Sequence, residues 1–341
     1  MIIEFDRGFC TESSTTWPRL LGDIGGTNAR FAWQVHEGAP IDQVMVMSCA
    51  DHSDVVKAVE HYLTSRHLHR PKAVALGMAV PVVSDFIELT NNHWKLSIKE
   101  TRAALEVSTL LVLNDFTALA LAIPGLEDKD KHQIGTGNPR DHAPIGLIGP
   151  GTGLGVSGLM PVPGLRQWVP IAGEGGHVSL SASNPLEFAV VEYLNHRYGH
   201  ASAERVLSGS GLVDLFHALA HIRGESPGGV ATAAEVIRLS QRRDSLLAES
   251  VLDLFCGWLG SVAGDLALTL GARGGIYVGG GIVPRIREQF SQSQFRHRFE
   301  AKGRYQAYLA DIPTWFIDAA VSPALLGASR ALSWQLSDSF R

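Results

Sequence analysis

Apolar residues fall along this chain in two kinds of run: short continuous blocks, and longer stretches with helical spacing. Within Leu110–Pro124, one block ends in Asn114-Asp115 and gives way to an Ala- and Leu-rich segment stopped by Pro124-Gly125. So short a block reads as a buried strand and the next segment as a helix, with Asp115 near its N-terminus. That is the carboxyl end of a strand, where ligands bind in α/β folds. A plain helix cap, worth about 1 kcal/mol, is the competing reading of Asp115.

Arg19–Val35 places two apolar segments around Gly25-Gly26-Thr27-Asn28, the pattern of a hairpin whose glycines supply a positive φ. Ile145–Met160 repeats the design, with one threonine, Thr152, in the turn. Glycine turns let backbone N–H groups approach an anion. Asp23 precedes the first turn, where a carboxylate can hold water on Mg²⁺, and Thr27 adds a hydroxyl toward a phosphate. Neither turn has the spacing of a P-loop or a dinucleotide fingerprint. One such turn alone reads as an ordinary β-turn. Two, one at the start of each half, point to a duplicated nucleotide-binding unit whose two loops hold a triphosphate from both sides.

The remaining pattern gives a helix over Ser53–His67 capped by Ser53, a buried strand at Ala73–Val80, and a strand at Phe86–Thr90 that leads into the polar knot Asn91-Asn92-His93-Trp94. Glu127–Ala143 reads as a charged connection and lobe boundary. In GEGGHV (173–178), Glu174 and His177 sit among glycines that leave room for a ligand; hydrogen bonding to a polyhydroxy compound fits better than a metal, with a structural histidine as the alternative. Asn184–Tyr198 carries strong start signals: Asn184 as cap, Pro185, and Glu187 to complete a capping box. Glu204, beside Arg205, reads by default as a solvated helix charge. Helices follow over Thr232 to about Asp244 and Ser245 to about Ala272. The second is apolar on more than one face, with Gly257, Gly260 and Gly264 placed for close packing. Strand Ile276–Val278 runs into Gly279–Gly281, a surface suited to an adenine or ribose. Arg285–Arg304 reads as one amphipathic surface helix, Thr314–Ile317 as a strand, and Ser322-Pro323 as the start of a final helix.

Composition narrows the classes. At 341 residues the chain is large for one core, so two lobes are expected. Hydrophobic residues make up 45% and charged residues 18%, an ordinary balance for a folded chain, and no run of about 18 apolar residues suggests a membrane span. A net charge of −5 gives no electrostatic case for nucleic acid. Cys10, Cys49 and Cys256 are odd in number and lack metal spacing, which suits a reducing cytoplasm. The start of the chain carries Glu4 and Asp6 and does not read as a signal peptide.

In order, GDIGGTNAR (22–30), LTNNHW (89–94), NDFTALALAIP (114–124), GPGTGLGV (149–156), GEGGHV (173–178), SAERVLSG (202–209) and GGGIVPR (279–285) resemble the bacterial glucokinases of the proteobacterial type, within the actin/hexokinase-like superfamily. The resemblance covers Leu20 to the C-terminus. It implies a two-lobed α/β, ribonuclease H-like fold with an interlobe cleft: an extension over 1–19, a small lobe over 20–125 plus 320–341, and a large lobe over 126–319. It implies ATP-dependent phosphorylation of glucose, the entry step of glycolysis, in a cytoplasmic homodimer. Asp115 is then the catalytic base, and Asn114, Asp115, Glu174, His177 and Glu204 bind the glucose hydroxyls. Gly22, Asp23, Ile24, Gly25, Gly26 and Thr27 form one phosphate loop; Gly151, Thr152 and Gly153 lie in the other, and Gly279, Gly280 and Gly281 lie near adenosine. Mg²⁺ rides on ATP with no direct protein ligand, Asp23 acting through water. Pro150, Ser84 and Ala172 depart from the family pattern and put sugar preference in question. A kinase for another hexose, or an inactive sugar-binding sensor, is the alternative.

Overall fold

The computed structural model describes residues 16–89, 92–165 and 167–336. Most of the expected extension, and Thr90 and Asn91 of the polar knot, lie outside them. The chain divides into two compact units, 1–126 with 320–341 and 127–319.

The first unit opens with β1 (Arg19–Ile24), β2 (Asn28–Gln34) and β3 (Asp42–Ser48), then α1 (Val55–Ser65) and β4 (Ala73–Met78). A small hairpin follows, β5 (Phe86–Glu88) and β6 (Lys95–Ser97), then α2 (Ile98–Ala104), β7 (Thr109–Asn114) and α3 (Asp115–Ala122). Its sheet has the order β3-β2-β1-β4-β7. The first two pairings are antiparallel, and β1–β4 and β4–β7 are parallel. Leu20, Phe31, Tyr62, Leu76 and Trp94 are fully buried in its core. Asp54, not Ser53, caps α1: its carboxylate accepts from the Lys57 amide, while the Ser53 hydroxyl braces that carboxylate.

The second unit contains β8 (Lys131–Ile134), β9 (Ile145–Pro150), β10 (Leu154–Pro161), β11 (Trp168–Gly173), α4 (Pro185–Tyr198), α5 (Gly209–Arg223), α6 (Ala233–Gln241) and α7 (Leu246–Leu270). It continues through β12 (Gly275–Val278), α8 (Arg287–Gln292), α9 (Phe295–Glu300), α10 (Gln306–Ala310) and β13 (Thr314–Ile317). The sheet order is β11-β10-β9-β12-β13-β8. From β11 to β13 it repeats the first sheet, two antiparallel pairings and then two parallel ones. This repetition is the duplication that the two glycine hairpins predict, in the α/β form that the family resemblance implies. The chain then returns to the first unit as α11 (Pro323–Leu336).

Three of these readings need correction. Glu127–Ala143 contains β8, which extends the second sheet by pairing with β13; the block KHQI carries one apolar residue and so no strand signal. Arg285–Arg304 is two short helices broken around Ser293. Their Phe290, Phe295 and Phe299 are fully buried, because Gly260 and Gly264 of α7 let the α9 backbone approach where a Cβ would overlap it. Glu187 does not complete a capping box. Its Oε2 accepts from the Ser183 amide, and the buried carboxylate pairs with Arg298. Helix α7 is long and apolar enough to cross a membrane. In this fold it is the central helix of the second unit, packed by α5, α6 and α9.

Candidate active site

In the first unit the parallel register sets Asp23 beside Gly77 and Gly77 beside Leu113, with Ile24, Met78 and Asn114 one step further. The predicted residues of this half therefore collect at the carboxyl edge of three adjacent strands. A Cβ on Gly77 would contact the Asp115 Cα, the Gly22 carbonyl and the Ala118 Cβ, so its missing side chain lets α3 settle against the strand. Sequence reading passed over Gly77, whose AVALGMAV context looks like plain core.

Asn114 occupies the cap position of α3: its Oδ1 accepts from the Phe116 amide at 2.9 Å and the Thr117 amide at 3.1 Å. The capping task, the competing reading of Asp115, thus belongs to its neighbour. Asp115 is the first helical residue, half-buried. Its Oδ1 accepts from the Phe116 amide at 2.8 Å and the Asn114 amide nitrogen at 3.1 Å. These two donors fix the direction of the carboxylate.

The first glycine turn is closed by the Gly25 amide donating to the Asn28 carbonyl at 2.9 Å and is pinned from behind by Cys49, whose amide donates to Thr27. Neither Gly25 nor Gly26 has a positive φ, contrary to expectation; nor do Gly151 and Gly153. At Gly25 and Gly151 a Cβ would meet nothing closer than 3.6 Å, so these positions are open, whereas the space at Gly153 is taken by Glu204. Thr27 is exposed at the tip, whereas Gly22 and Ile24 are buried in β1 and belong to the sheet rather than the turn. Asp23 is not a bare carboxylate. Its Oδ2 accepts from Ser322 Oγ at 2.7 Å and from Arg30 Nη1 at 3.3 Å.

In the second unit Gly151, Thr152 and Gly153 join β9 to β10. The Gly151 amide donates to the Gly153 carbonyl, and the Gly209 amide, first residue of α5, donates to the Gly151 carbonyl, each at 2.8 Å. The N-terminus of a fifteen-residue helix is thereby fixed at the turn. Glu204 lies in a 3₁₀ turn, Ala203–Arg205, and not on a solvated helix face. Its Oε2 accepts from the Leu154 amide at 2.8 Å. The half-buried carboxylate lies 2.5 Å from where a Cβ on Gly153 would be.

GEGGHV is drawn to the same place. Gly176 packs on the Leu154 carbonyl where no Cβ would fit, and the Ala203 amide donates to the Val178 carbonyl. Glu174 and His177 are exposed at the ends of this short 3₁₀ turn. The loop after β12 closes the group: Gly279 donates to the Ile148 carbonyl, and Gly280, at φ +80°, passes over the Pro150 carbonyl. Pro150 ends β9, where its missing N–H costs no ladder bond to β10 beyond the turn. The structure thus gathers Gly151–Gly153, Glu174, His177, Glu204 and Gly279–Gly281 within one unit. Ser208, unremarked in the sequence, holds the Glu204 carbonyl and caps α5; the SGSGL pattern was its available signal.

Among the described residues, no three His, Cys, Asp or Glu side chains converge as metal ligands. The first unit offers a backbone cradle for an anion and an oriented carboxylate at Asp115; the second offers another cradle and hydrogen-bonding groups for a polyhydroxy ligand.

The glucokinase family model matches residues 20–335. A glucokinase of Chromobacterium violaceum is 49% identical over 94% of this chain and 91% of its own length. The crystal structure of a glucokinase from an Antarctic psychrotroph, 34% identical, superposes with a TM-score of 0.83 over 93% of this chain and 98% of that one. A glucokinase of the ROK family from Streptomyces griseus, in complex with glucose and AMPPNP, shares the fold at 18% identity, with a TM-score of 0.63 over 94% and 100% of the two chains.

Proposed function

The chain belongs to the glucokinase family, and from that premise we propose that it transfers the γ-phosphoryl group of ATP to the 6-hydroxyl of glucose, with Asp115 as general base. The observation that carries the role of Asp115 is the division of labour at the start of α3. Asn114 caps the helix, and Asp115, oriented by the Phe116 and Asn114 amides, is not required for that task.

In this reading Asp115 accepts the proton of the attacking hydroxyl. The transition state for phosphoryl transfer is loose, so a base held in place matters more than a strong one. The side chains of Asn114, Glu174, His177 and Glu204 hold the sugar hydroxyls and orient the 6-hydroxyl toward Asp115. The amides of Gly26 and Thr27 and those of Thr152 and Gly153 hold phosphate oxygens, while the Gly25 and Gly151 amides close the turns that present them; the α5 N-terminus behind the second turn adds a favourable field. Gly279–Gly281 accommodate adenosine. Mg²⁺ would ride on the phosphates and neutralise their charge. The residues fit that placement: Asp23 is one carboxylate with Oδ2 already bonded, at the edge of a phosphate turn, suited to contact through water and not to forming a cage. The homodimeric state and the cytoplasmic setting belong to the same proposal.

The test is formation of glucose 6-phosphate by the purified chain with Mg-ATP, with mannose, fructose and glucosamine in parallel. Preferred turnover of glucose is expected. Turnover of another hexose in its place would redirect the substrate assignment, and glucose binding without turnover would turn the reading toward a sensor.

A further inference from the structure

We propose that Glu204 is the link through which the sugar and nucleotide sites sense each other, because one carboxylate serves both the second phosphate turn and the sugar. The inference rests on the sugar-binding role given to Glu204 above and adds to it a bond that the sugar role does not require. Glu204 Oε2 accepts from the Leu154 amide, the first residue beyond the turn, at 2.8 Å. A second observation points the same way. Gly153 leaves the space that this oxygen occupies, since a Cβ there would stand 2.5 Å from Oε2. The turn and the carboxylate are fitted to each other.

Glu204 has little freedom to leave this position. Ser208 Oγ donates to its carbonyl at 2.8 Å, and the amides of Arg205, Val206 and Leu207 bond back into the short turn. Arg205 lies over the Tyr198 ring at 3.8 Å, and the Tyr198 hydroxyl donates to both Asp214 oxygens at 2.9 Å. A displacement of the 151–153 turn by bound phosphates therefore acts on the direction of the carboxylate, and a sugar that draws on the carboxylate acts on the turn. Coupling of this kind is reciprocal: each ligand must tighten the other by the same factor.

The test compares two alanine substitutions by titration calorimetry. In Gly153→Ala the new methyl displaces Oε2. In Gly229→Ala, in the exposed loop before α6 and outside the proposed sites, the new methyl has no neighbour within 4 Å. With no nucleotide present, Gly153→Ala is expected to weaken glucose binding about tenfold or more, the loss of an aligned hydrogen bond to a charged group, and Gly229→Ala to leave it unchanged. With AMPPNP and Mg²⁺ added, the wild-type chain shows the same enhancement factor in both directions, and Gly153→Ala brings it close to one. Thermal melts establish that both variants are folded. Glucose binding by Gly153→Ala at wild-type strength, or equal losses in the two variants, would overturn the link. Absence of glucose binding by the wild-type chain would instead overturn the sugar assignment itself, so the two failures are distinguishable.

Discussion

Ser322 Oγ donates a 2.7 Å hydrogen bond to Asp23 Oδ2, joining the residue that precedes α11 to the strand that leads into the first phosphate turn. With Arg30 as a second donor, the carboxylate is oriented before any ligand arrives. Ser322 reads as a simple helix cap in the sequence, yet its hydroxyl is spent on Asp23.

Ser322→Ala leaves Asp23 with the longer Arg30 contact alone. The apparent KM for Mg-ATP is expected to rise about three- to tenfold, the scale of one ordinary hydrogen bond. Glucose binding to the nucleotide-free chain stays the same. Steady-state kinetics at varied Mg-ATP, beside glucose titrations, check this; an unchanged KM for Mg-ATP removes Ser322 from the role.

Gly327 of α11 lies against the Ala118 carbonyl of α3, with no room for a Cβ. Gly327→Ala must push the two helices apart and is expected to cost about 1–3 kcal/mol of stability. Because Asp115 stands at the start of α3, kcat should fall as well. Denaturant unfolding and kcat measured on one preparation test this; a variant as stable and as active as the parent would show that the helices are not held by this contact.

Glu187 and Arg298 form a bidentate pair, Oε1–Nη1 at 2.5 Å and Oε2–Nη2 at 3.2 Å, with Glu187 only 1% exposed. Arg298→Met leaves a buried carboxylate without its partner, a loss of about 3–5 kcal/mol. The double variant Glu187→Leu with Arg298→Met should recover much of that loss. Urea midpoints of the three chains decide it, and a double variant no better than the single one would contradict the desolvation argument.

Burial pushes the Cys256 thiol and the Tyr277 phenol each up to about 12. The folded chain therefore keeps these protons at pH values where the unfolded chain releases them. The stabilisation is full below about pH 9 and is lost as pH rises toward 12. Cys256 alone implies a loss of about 2 kcal/mol between pH 8 and 10.5. Burial also raises the Cys49 thiol. In a Cys10→Ser background, neither remaining cysteine should react with a disulfide reagent at pH 8 until the chain is denatured. Rapid reaction in the native state would contradict the buried positions.

How far the sequence could be read depended on whether the determining partner was local. Thr314–Ile317 and the Asn184-Pro185 start of α4 are specified by their own few residues, and both stand as read. The two glycine hairpins also emerge where the pattern put them, because alternating apolar strands and a glycine turn are local features. β8 fails as a sequence signal because its partner β13 lies about 180 residues away. Glu187 and Glu204 fail for the same reason. A capping box and a solvated charge are sound guesses until Arg298, 111 residues on, and the Leu154 amide, 50 residues back, are known. Asp115 was legible as a position at a strand end; that Asn114 relieves it of capping required the hydrogen bonds themselves.

The most direct test of the central claim is Asp115→Asn, which keeps an Oδ1 acceptor for the Phe116 amide and removes the base. Glucose 6-phosphate formation and glucose binding are measured on the same protein. The account predicts a fall in kcat of about 10²–10⁴-fold or more, with glucose affinity largely retained. Turnover within a few-fold of the parent would contradict it and take the base role away from Asp115.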